Sequence, residues 1–216
     1  MGLFVENLIR MIGDADITVR RFALESLTAI THTQPPCVKD DAAKMQNAAI
    51  AMTRIDPSLI KEVDLGPFKH KIDDGIPIRK AAFGLIDTMI EKIPERVDAS
   101  LVTEVVIRGL EDAAEECMIQ CLSIIYRLVA WSPLIVINQI EALIESFSKQ
   151  FAKNIANVAT NDKAKNIMRS IIRVVEQLHR TSEIEGNTKF ADFFREKIMD
   201  NPAAREMFQN IAATAS

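Results

Sequence analysis

The sequence of 216 residues has little glycine and little proline, with seven and eight residues respectively. Several of these fall between segments whose apolar residues recur with a helical period, which is typical of helices joined by short turns. Only three cysteines occur, without the spacing of a disulfide framework, and this favours a reducing compartment. We therefore expect a mainly helical protein of the cytoplasm and nucleus.

The sequence also lacks the signals that indicate particular ligand classes. No block of basic residues occurs and the net charge is −4, which argues against nucleic-acid binding. The longest apolar runs are far too short for a membrane span, and the first residues carry neither a secretory nor a myristoylation pattern. Glycine-rich phosphate loops, HExxH and GxSxG are absent. We expect no nucleic acid, membrane, small-molecule substrate, cofactor or metal, and no catalysis.

A spaced pattern recurs along the chain. It has an aspartate, an aliphatic and a basic residue five and six positions later, a small residue after nine positions and an aliphatic residue after thirteen. The copies are Asp14, Val19, Arg20, Ala23 and Leu27; Asp73, Ile78, Arg79, Ala82 and Ile86; the weaker Asp112, Cys117, Met118, Cys121 and Ile125; and the helical end alone, Lys165, Met168 and Ile172. Helical repeats of such periods are typical of solenoid proteins.

The offsets within the pattern predict helices with one apolar face. In the first two copies this face comprises Val19, Phe22, Ala23, Leu27 and Ile30, and Ile78, Ala82, Leu85, Ile86, Met89 and Ile93. The aspartate precedes the helix, where its charge favours the helix dipole, and we expect the arginine to pair with the aspartate of a neighbouring repeat. Such helices bury their faces only by stacking, so we predict an all-α solenoid, an α-α superhelix, with one inserted β-hairpin.

The predicted helices form a single domain over residues 1–216, with about four helix pairs followed by C-terminal helices. They span residues 3–12, 17–32, 38–55, 77–92, 99–111, 114–130, 134–155, 162–180, 188–199 and 203–213. The exception is the segment 62–73, which alternates like two strands and predicts the inserted hairpin.

In this hairpin, Gly66 and Pro67 suit the two central positions of a type II′ turn. The pairing that follows joins Leu65 to Phe68, Asp64 to Lys69, Val63 to His70 and Glu62 to Lys71. Because side chains alternate along a strand, one side of the ribbon carries Val63, Leu65, Phe68, His70 and Ile72, and the other carries the opposite-charge pairs. An isolated hairpin is at best marginally stable, so the apolar side either packs on the protein's own helices or is covered by a partner.

The run EVDLGPFKHKIDDGIPIRKAAF, from Glu62 to Phe83, resembles the C-terminal segment of the cullin-associated neddylation-dissociated (Cand) family, also described as TATA-binding-protein-interacting proteins. The match combines the turn from Gly66 to His70, the run from Asp73 to Gly75, and the segment from Ile78 to Phe83. A looser similarity extends from the first repeat to NPAAREMFQNI near the end. The resemblance implies HEAT repeats that correspond to the last few repeats of a longer protein.

The resemblance also implies a non-catalytic module that binds the N-terminal domain of a cullin, the scaffold of SCF-type ubiquitin ligases. In that family the hairpin occupies the site of the substrate-receptor adaptor, and the full-length proteins exchange receptor modules on unneddylated cullins. The partner-binding residues implied here are Val63, Leu65, Gly66, Pro67, Phe68, Lys69, His70, Lys71 and Ile72. The third repeat departs from the family pattern and the long N-terminal arm is absent from this sequence, so we do not expect full exchange activity from this chain alone.

Other functions leave weaker signals. Cys117 and Cys121, one helical turn apart, would suit two zinc ligands, but no further Cys or His stands at zinc-finger spacing, and their repeat positions predict buried thiols. An enzyme that uses His70 with Asp73 and Asp74 rests on loop composition alone. The main alternative to cullin binding is a generic HEAT scaffold that grips another helical protein along its concave face.

Overall fold

The computed structural model describes residues 2–65 and 68–214, and at residues 63–65 and 68–70 it describes the backbone alone. Over this part the chain forms eleven α-helices and one two-stranded antiparallel sheet. The helices are α1 Gly2–Met11, α2 Ile17–Thr33, α3 Ala42–Met52, α4 Ile76–Lys92, α5 Ala99–Gly109, α6 Glu115–Trp131, α7 Pro133–Ile137, α8 Ile140–Asn154, α9 Asp162–His179, α10 Thr188–Phe193 and α11 Pro202–Thr214. The strands are β1 Ile60–Leu65 and β2 Phe68–Asp73. None of the described helices is both long and apolar enough to cross a membrane.

The first compact unit comprises residues 1–98 and contains α1 to α4 together with the hairpin. In it α1 packs on α2 and α3 on α4, and the two helices that carry the repeated pattern, α2 and α4, pack on each other. Ala23 and Ala82 are fully buried, as a small residue at a close helix contact requires. The repeated helices thus form the core of this unit.

The second compact unit comprises residues 99–216 and contains α5 to α11. Here α5 packs on α6 and α8 on α9, and α6 and α9, which carry the third and fourth copies, pack on each other. The last helix, α11, also packs on α9. The all-α fold of stacked helix pairs with one inserted hairpin is confirmed, whereas a single domain over the whole chain stays a prediction.

Two predicted helices are divided or shortened in the structure, and a third, residues 188–199, continues beyond α10 as a π-helix over Phe194–Met199. Residues 134–155 form α7 and α8 instead of one helix, because the backbone leaves the helical path at Gln139, whose Nε2 donates a hydrogen bond to the carbonyl of Ser100 at 3.1 Å. Residues 38–55 begin with a 3-10 turn at Lys39–Asp41, and the α-helix ends at Met52. Helical periodicity does not reveal the first difference, because the apolar residues recur at helical spacing on both sides of Gln139.

The predicted apolar face of α2 is wrong at Phe22. This side chain is 53% exposed and lies beneath the guanidinium of Arg21, whose central carbon is 5.0 Å from the ring centroid. Phe22 is five positions from the buried Leu27, which is about 140° around an α-helix. The buried face instead centres on Ala23, Leu24 and Leu27.

The repeated aspartate closes the same turn in three copies. Its Oδ1 accepts a hydrogen bond from the backbone amide two residues later, at 2.9 Å for Asp14, 2.9 Å for Asp73 and 2.8 Å for Asp112. The side chain therefore fixes the turn before each helix, a role for which a short carboxylate is well suited. The prediction that the arginine pairs with the aspartate of a neighbouring repeat is wrong, because Arg79 binds Asp73 of its own copy.

Candidate protein-binding site

The hairpin has the register that the sequence predicts. Its strands pair Leu65 with Phe68, Asp64 with Lys69, Val63 with His70 and Glu62 with Lys71, and the ladder continues to Lys61 with Ile72 and Ile60 with Asp73. The hairpin therefore starts two residues before the predicted boundary at residue 62. The register follows from the turn position and from the alternation of apolar and polar residues.

The tip of the hairpin carries most of the predicted partner-binding residues. Gly66 and Pro67 lie outside the described residues, so the type II′ turn stays a prediction. The same holds for the side chains of Val63, Leu65, Phe68, Lys69 and His70. The two remaining predicted residues, Lys71 and Ile72, are described, and both are exposed.

The exposure of Ile72 bears directly on the hairpin's surroundings. Ile72 lies on the side of the ribbon predicted to be apolar, and its side chain is 48% exposed. Its neighbours Glu62 and Lys71, on the other side of the ribbon, are exposed as well. At this end of the ribbon, neither side is sealed against the protein's own helices.

The base of the hairpin is held by a buried ion pair. Arg79 Nη2 of α4 donates to Asp73 Oδ2 at 2.8 Å, with the arginine side chain 2% exposed and the aspartate side chain 20% exposed. Partial burial tends to raise the pKa of Asp73, but the hydrogen bonds from Arg79 and from the Gly75 amide outweigh it, so this pKa is lowered. The end of β2 is thereby tied to the start of α4.

Two further contacts close the base. Lys61 Nζ lies 2.7 Å from Asp74 Oδ2, and the Asp74 amide donates to the carbonyl of Leu59 at 3.0 Å. These bonds join the first strand, and Leu59 just before it, to the residue that follows the second strand. The ends of the ribbon are therefore fixed to each other and to α4.

Gly75 allows this base to be compact. A Cβ at this position would lie 3.0 Å from Asp73 Oδ1, 3.1 Å from Arg79 Nη1 and 3.3 Å from Leu59 Cδ1. Gly75 has a backbone conformation open to any residue, with φ −80° and ψ −14°. Glycine is thus required for close approach, not for its dihedral angles.

The arrangement offers little for catalysis. The carboxylates of Asp73 and Asp74 are each bound to a basic side chain, Arg79 and Lys61, so neither is poised as a general base. The imidazole of His70 is among the side chains that are not described. The ion pairs of Asp73 and Asp74 stabilise the base of the hairpin.

The cysteine pair also occupies a structural position. Cys117 and Cys121 are fully buried in α6, which confirms the prediction of buried thiols. Burial, followed by the neighbouring Cys117 and Asp112, raises the pKa of Cys121, whereas a zinc ligand must be a thiolate. In the described part of the chain, no group of three metal-binding side chains comes together.

Arg79 is the residue of this region whose ion-pair partner was predicted wrongly from the sequence. The sequence does contain a pattern that indicates a contact within one copy, since Asp73 and Arg79 stand six positions apart, as Asp14 and Arg20 do. That spacing brings the arginine back to the aspartate across the first turn of the helix, to the carbonyl oxygen of Asp14 in one copy and to the carboxylate of Asp73 in the other. The pattern alone does not tell whether the arginine meets the carboxylate or a backbone carbonyl.

Comparison with known families supports the resemblance in the sequence. The family described as TATA-binding protein interacting (TIP20), TIP120, matches residues 37–197. Cullin-associated NEDD8-dissociated protein 1 of Dictyostelium discoideum is 29% identical over 205 residues, 94% of this chain and 17% of the relative. The corresponding protein 1 of Drosophila melanogaster is 30% identical over 201 residues, 92% of this chain and 16% of the relative.

A second paralogue and one solved structure complete the comparison. Cullin-associated NEDD8-dissociated protein 2 of Rattus norvegicus is 28% identical over 211 residues, 96% of this chain and 16% of the relative. The chain thus spans about one sixth of the length of these relatives. The crystal structure of an engineered protein matches with a TM-score of 0.50 at 12% identity, covering 97% of both chains, which is a likeness of fold alone.

Proposed function

Because this chain belongs to the TATA-binding-protein-interacting family, the C-terminal HEAT-repeat region of the cullin-associated NEDD8-dissociated proteins, we propose that it binds the N-terminal domain of a cullin through its hairpin. Family membership and the helical repeats point to a cullin-associated, non-catalytic scaffold. The finer proposal is that the hairpin occupies the adaptor's site on the cullin. The module would then act in the assembly and exchange of SCF-type ubiquitin ligases.

The observation that carries this proposal is the exposure of Ile72, which lies on the side of the hairpin predicted to be apolar. Ile72 is about half exposed, and by the strand register it shares its side of the ribbon with Val63, Leu65, Phe68 and His70. A two-stranded ribbon gains little stability from its own contacts, so an apolar side that reaches solvent favours a partner. The charged side chains on the opposite side would then form the rim of the contact and steer the approach.

Competition follows if the hairpin and the adaptor use one site. Two ligands that weaken each other's binding to a common scaffold do so by the same factor, as linkage requires. The cullin would then hold less adaptor at equilibrium when the hairpin is bound. The chain would need no chemistry of its own for this effect.

The decisive test replaces the two apolar residues of the tip. We expect the Leu65→Ala, Phe68→Ala double variant to bind an isolated cullin N-terminal domain about thirtyfold more weakly than wild type, since truncation of a binding hot spot costs about 2 kcal/mol or more. Its displacement of bound adaptor should weaken in parallel. Calorimetry and a fluorescence displacement assay measure the two quantities.

A matched control comes from α1. Leu3 and Phe4 are 75% and 55% exposed, so the Leu3→Ala, Phe4→Ala double variant removes the same two side-chain types elsewhere on the surface. Its affinity should equal that of wild type. If the hairpin variant, with an unchanged thermal unfolding curve, still bound the cullin and displaced the adaptor normally, the proposal would be wrong.

A generic scaffold function makes a different prediction. In that case, loss of the hairpin leaves partner capture intact, whereas substitutions on the helices abolish it. The deletion should span residues 62–71 and be closed by a short glycine-serine linker, because Asp73 is needed to pair with the buried Arg79. Capture from lysate by the intact and the shortened chain, read by mass spectrometry, separates the two functions.

A further inference from the structure

A cavity of about 280 Å³ lies beside the base of the hairpin, within residues 1–98. Three arginines from different parts of the chain line it: Arg20 of α2, Arg54 just after α3, and Arg79 of α4. Gly75, whose lack of a side chain gives Arg79 its space, lines it too. Three guanidinium groups at one small cavity indicate an anion as the ligand.

The arginines differ in how far they are already engaged. Arg79 binds Asp73, and Arg20 donates from Nε to the carbonyl oxygen of Asp14. The hydrogen bonds from Ser58, together with the charge of Arg20, lower the pKa of Asp56, so Arg20 also lies near that carboxylate. Arg54 is exposed at the rim. Its guanidinium is therefore accessible to a ligand.

The carboxylates around the cavity do not cancel this charge. Asp56 lines the cavity and accepts hydrogen bonds from the Ser58 amide at 2.9 Å and the Ser58 hydroxyl at 2.7 Å. Asp73 does not line the cavity but binds Arg79, so among these five side chains two carboxylates stand against three guanidinium groups, a surplus of one positive charge. This surplus matches a singly charged ligand group better than a phosphate, which carries nearly two charges.

The remaining walls are apolar. Met52, Ile55, Leu59 and Ile78 contribute to the lining. The volume suits one or two side chains rather than a cofactor. The ligand group should therefore join a charge to an aliphatic stem.

We propose that this cavity, the arginine pocket, binds a carboxylate carried on an aliphatic stem, as presented by a glutamate side chain or by the terminal carboxylate of a peptide from a protein partner. The planar guanidinium groups offer paired donors to a planar carboxylate, and the apolar walls pack on the stem. No described residue of β1 or β2 lines the arginine pocket, and ligand binding there does not depend on cullin binding. The result of testing the arginine pocket therefore neither supports nor contradicts the proposed cullin binding.

The test is a titration of the full chain, labelled with ¹⁵N, observed by nuclear magnetic resonance. Three peptides with acetylated N-termini are compared. Two have amidated C-termini, acetyl-Leu-Glu-Leu-amide and acetyl-Leu-Gln-Leu-amide, and the third, acetyl-Ala-Leu-Leu, keeps its terminal carboxylate. We expect saturable shifts of the Gly75 and Asp56 amides with one or both carboxylate peptides, which identifies the source of the carboxylate, and none with the glutamine peptide. Equal shifts with the glutamine peptide or with inorganic phosphate, or no shifts with either carboxylate peptide, would overturn the proposal.

The matched variants are Arg54→Gln and Arg108→Gln. Both arginines are exposed, but only Arg54 lines the pocket, so Arg54→Gln should raise the dissociation constant about threefold or more and Arg108→Gln should not change it. Arg79 is avoided because loss of its ion pair would disturb folding. An unchanged affinity of the Arg54→Gln variant contradicts the pocket as the binding site.

Discussion

The turns before α2 and α4 follow the same sequence pattern but use their arginines differently. In both, the aspartate side chain accepts from the amide two residues later at 2.9 Å. In the first, Arg20 is partly exposed and bonds to the carbonyl oxygen of Asp14. In the second, Arg79 is almost fully buried and pairs with the carboxylate of Asp73.

The difference follows from what precedes each aspartate. Asp73 is the last residue of β2, so one carboxylate both ends the hairpin and begins the turn into α4. The third copy shows which part of the pattern is essential to the turn, because Asp112 makes the same bond although Met118 replaces the basic residue. The aspartate therefore builds the turn in all three copies, and in the second copy the arginine also ties the inserted hairpin to the helix.

The largest effect is expected from loss of the ion pair between Asp73 and Arg79. Asp73→Ala should lower the free energy of unfolding by about 3 kcal/mol, since it leaves the charge of Arg79 buried without its carboxylate. Asp14→Ala removes only an exposed turn bond and should cost about 1 kcal/mol or less. Urea denaturation of the two variants measures both values.

A double variant tests the physical reason for that loss. Asp73→Ala combined with Arg79→Met removes both charges and should recover much of the stability lost in Asp73→Ala alone. Equal losses in Asp14→Ala and Asp73→Ala would mean that the two turns are energetically alike. The claim that the Asp73–Arg79 ion pair makes the second turn more important for stability would then be wrong.

A smaller effect is expected from the two glycines at these turns. Gly75→Ala should destabilise the protein by about 1–2 kcal/mol, because the new methyl group would press on Asp73 and Arg79. At Gly13 the nearest atom to a new Cβ is the Arg10 carbonyl oxygen at 3.5 Å, so Gly13→Ala should be neutral or slightly stabilising. Thermal unfolding of the two variants tests whether glycine at position 75 is required for the close approach of its neighbours or for backbone flexibility.

The smallest effect is a dependence on pH. The folded state lowers the pKa of Asp73, so its contribution to stability is fully present above the unfolded value of about 3.9 and is lost as pH falls through the lower folded pKa. Asp73→Asn should therefore reduce the fall in unfolding free energy between pH 5 and pH 3. A wild type and variant with parallel pH profiles would show that this carboxylate is not linked to folding.

Much of the candidate site could be predicted from the sequence. The alternation on either side of Gly66 and Pro67 led to the strand pairing that the structure has, because register depends on neighbours along two short strands. The exposure of Ile72 could not be predicted, since an alternating ribbon allows either side to be covered. The arginine pocket was also missed, because its arginines are distant in sequence and only the packing of α2, α3 and α4 brings them together.

The sequence by itself determined the helical class, the repeated turns, the hairpin register and the burial of Cys117 and Cys121. These features depend on periodicity and on hydrogen bonds between residues close in the chain. Only the tertiary structure decided that Phe22 faces solvent, that Gln139 interrupts a helix and that Arg79 is buried against Asp73. Each of these outcomes depends on which surfaces meet in space, and a local pattern leaves that choice open.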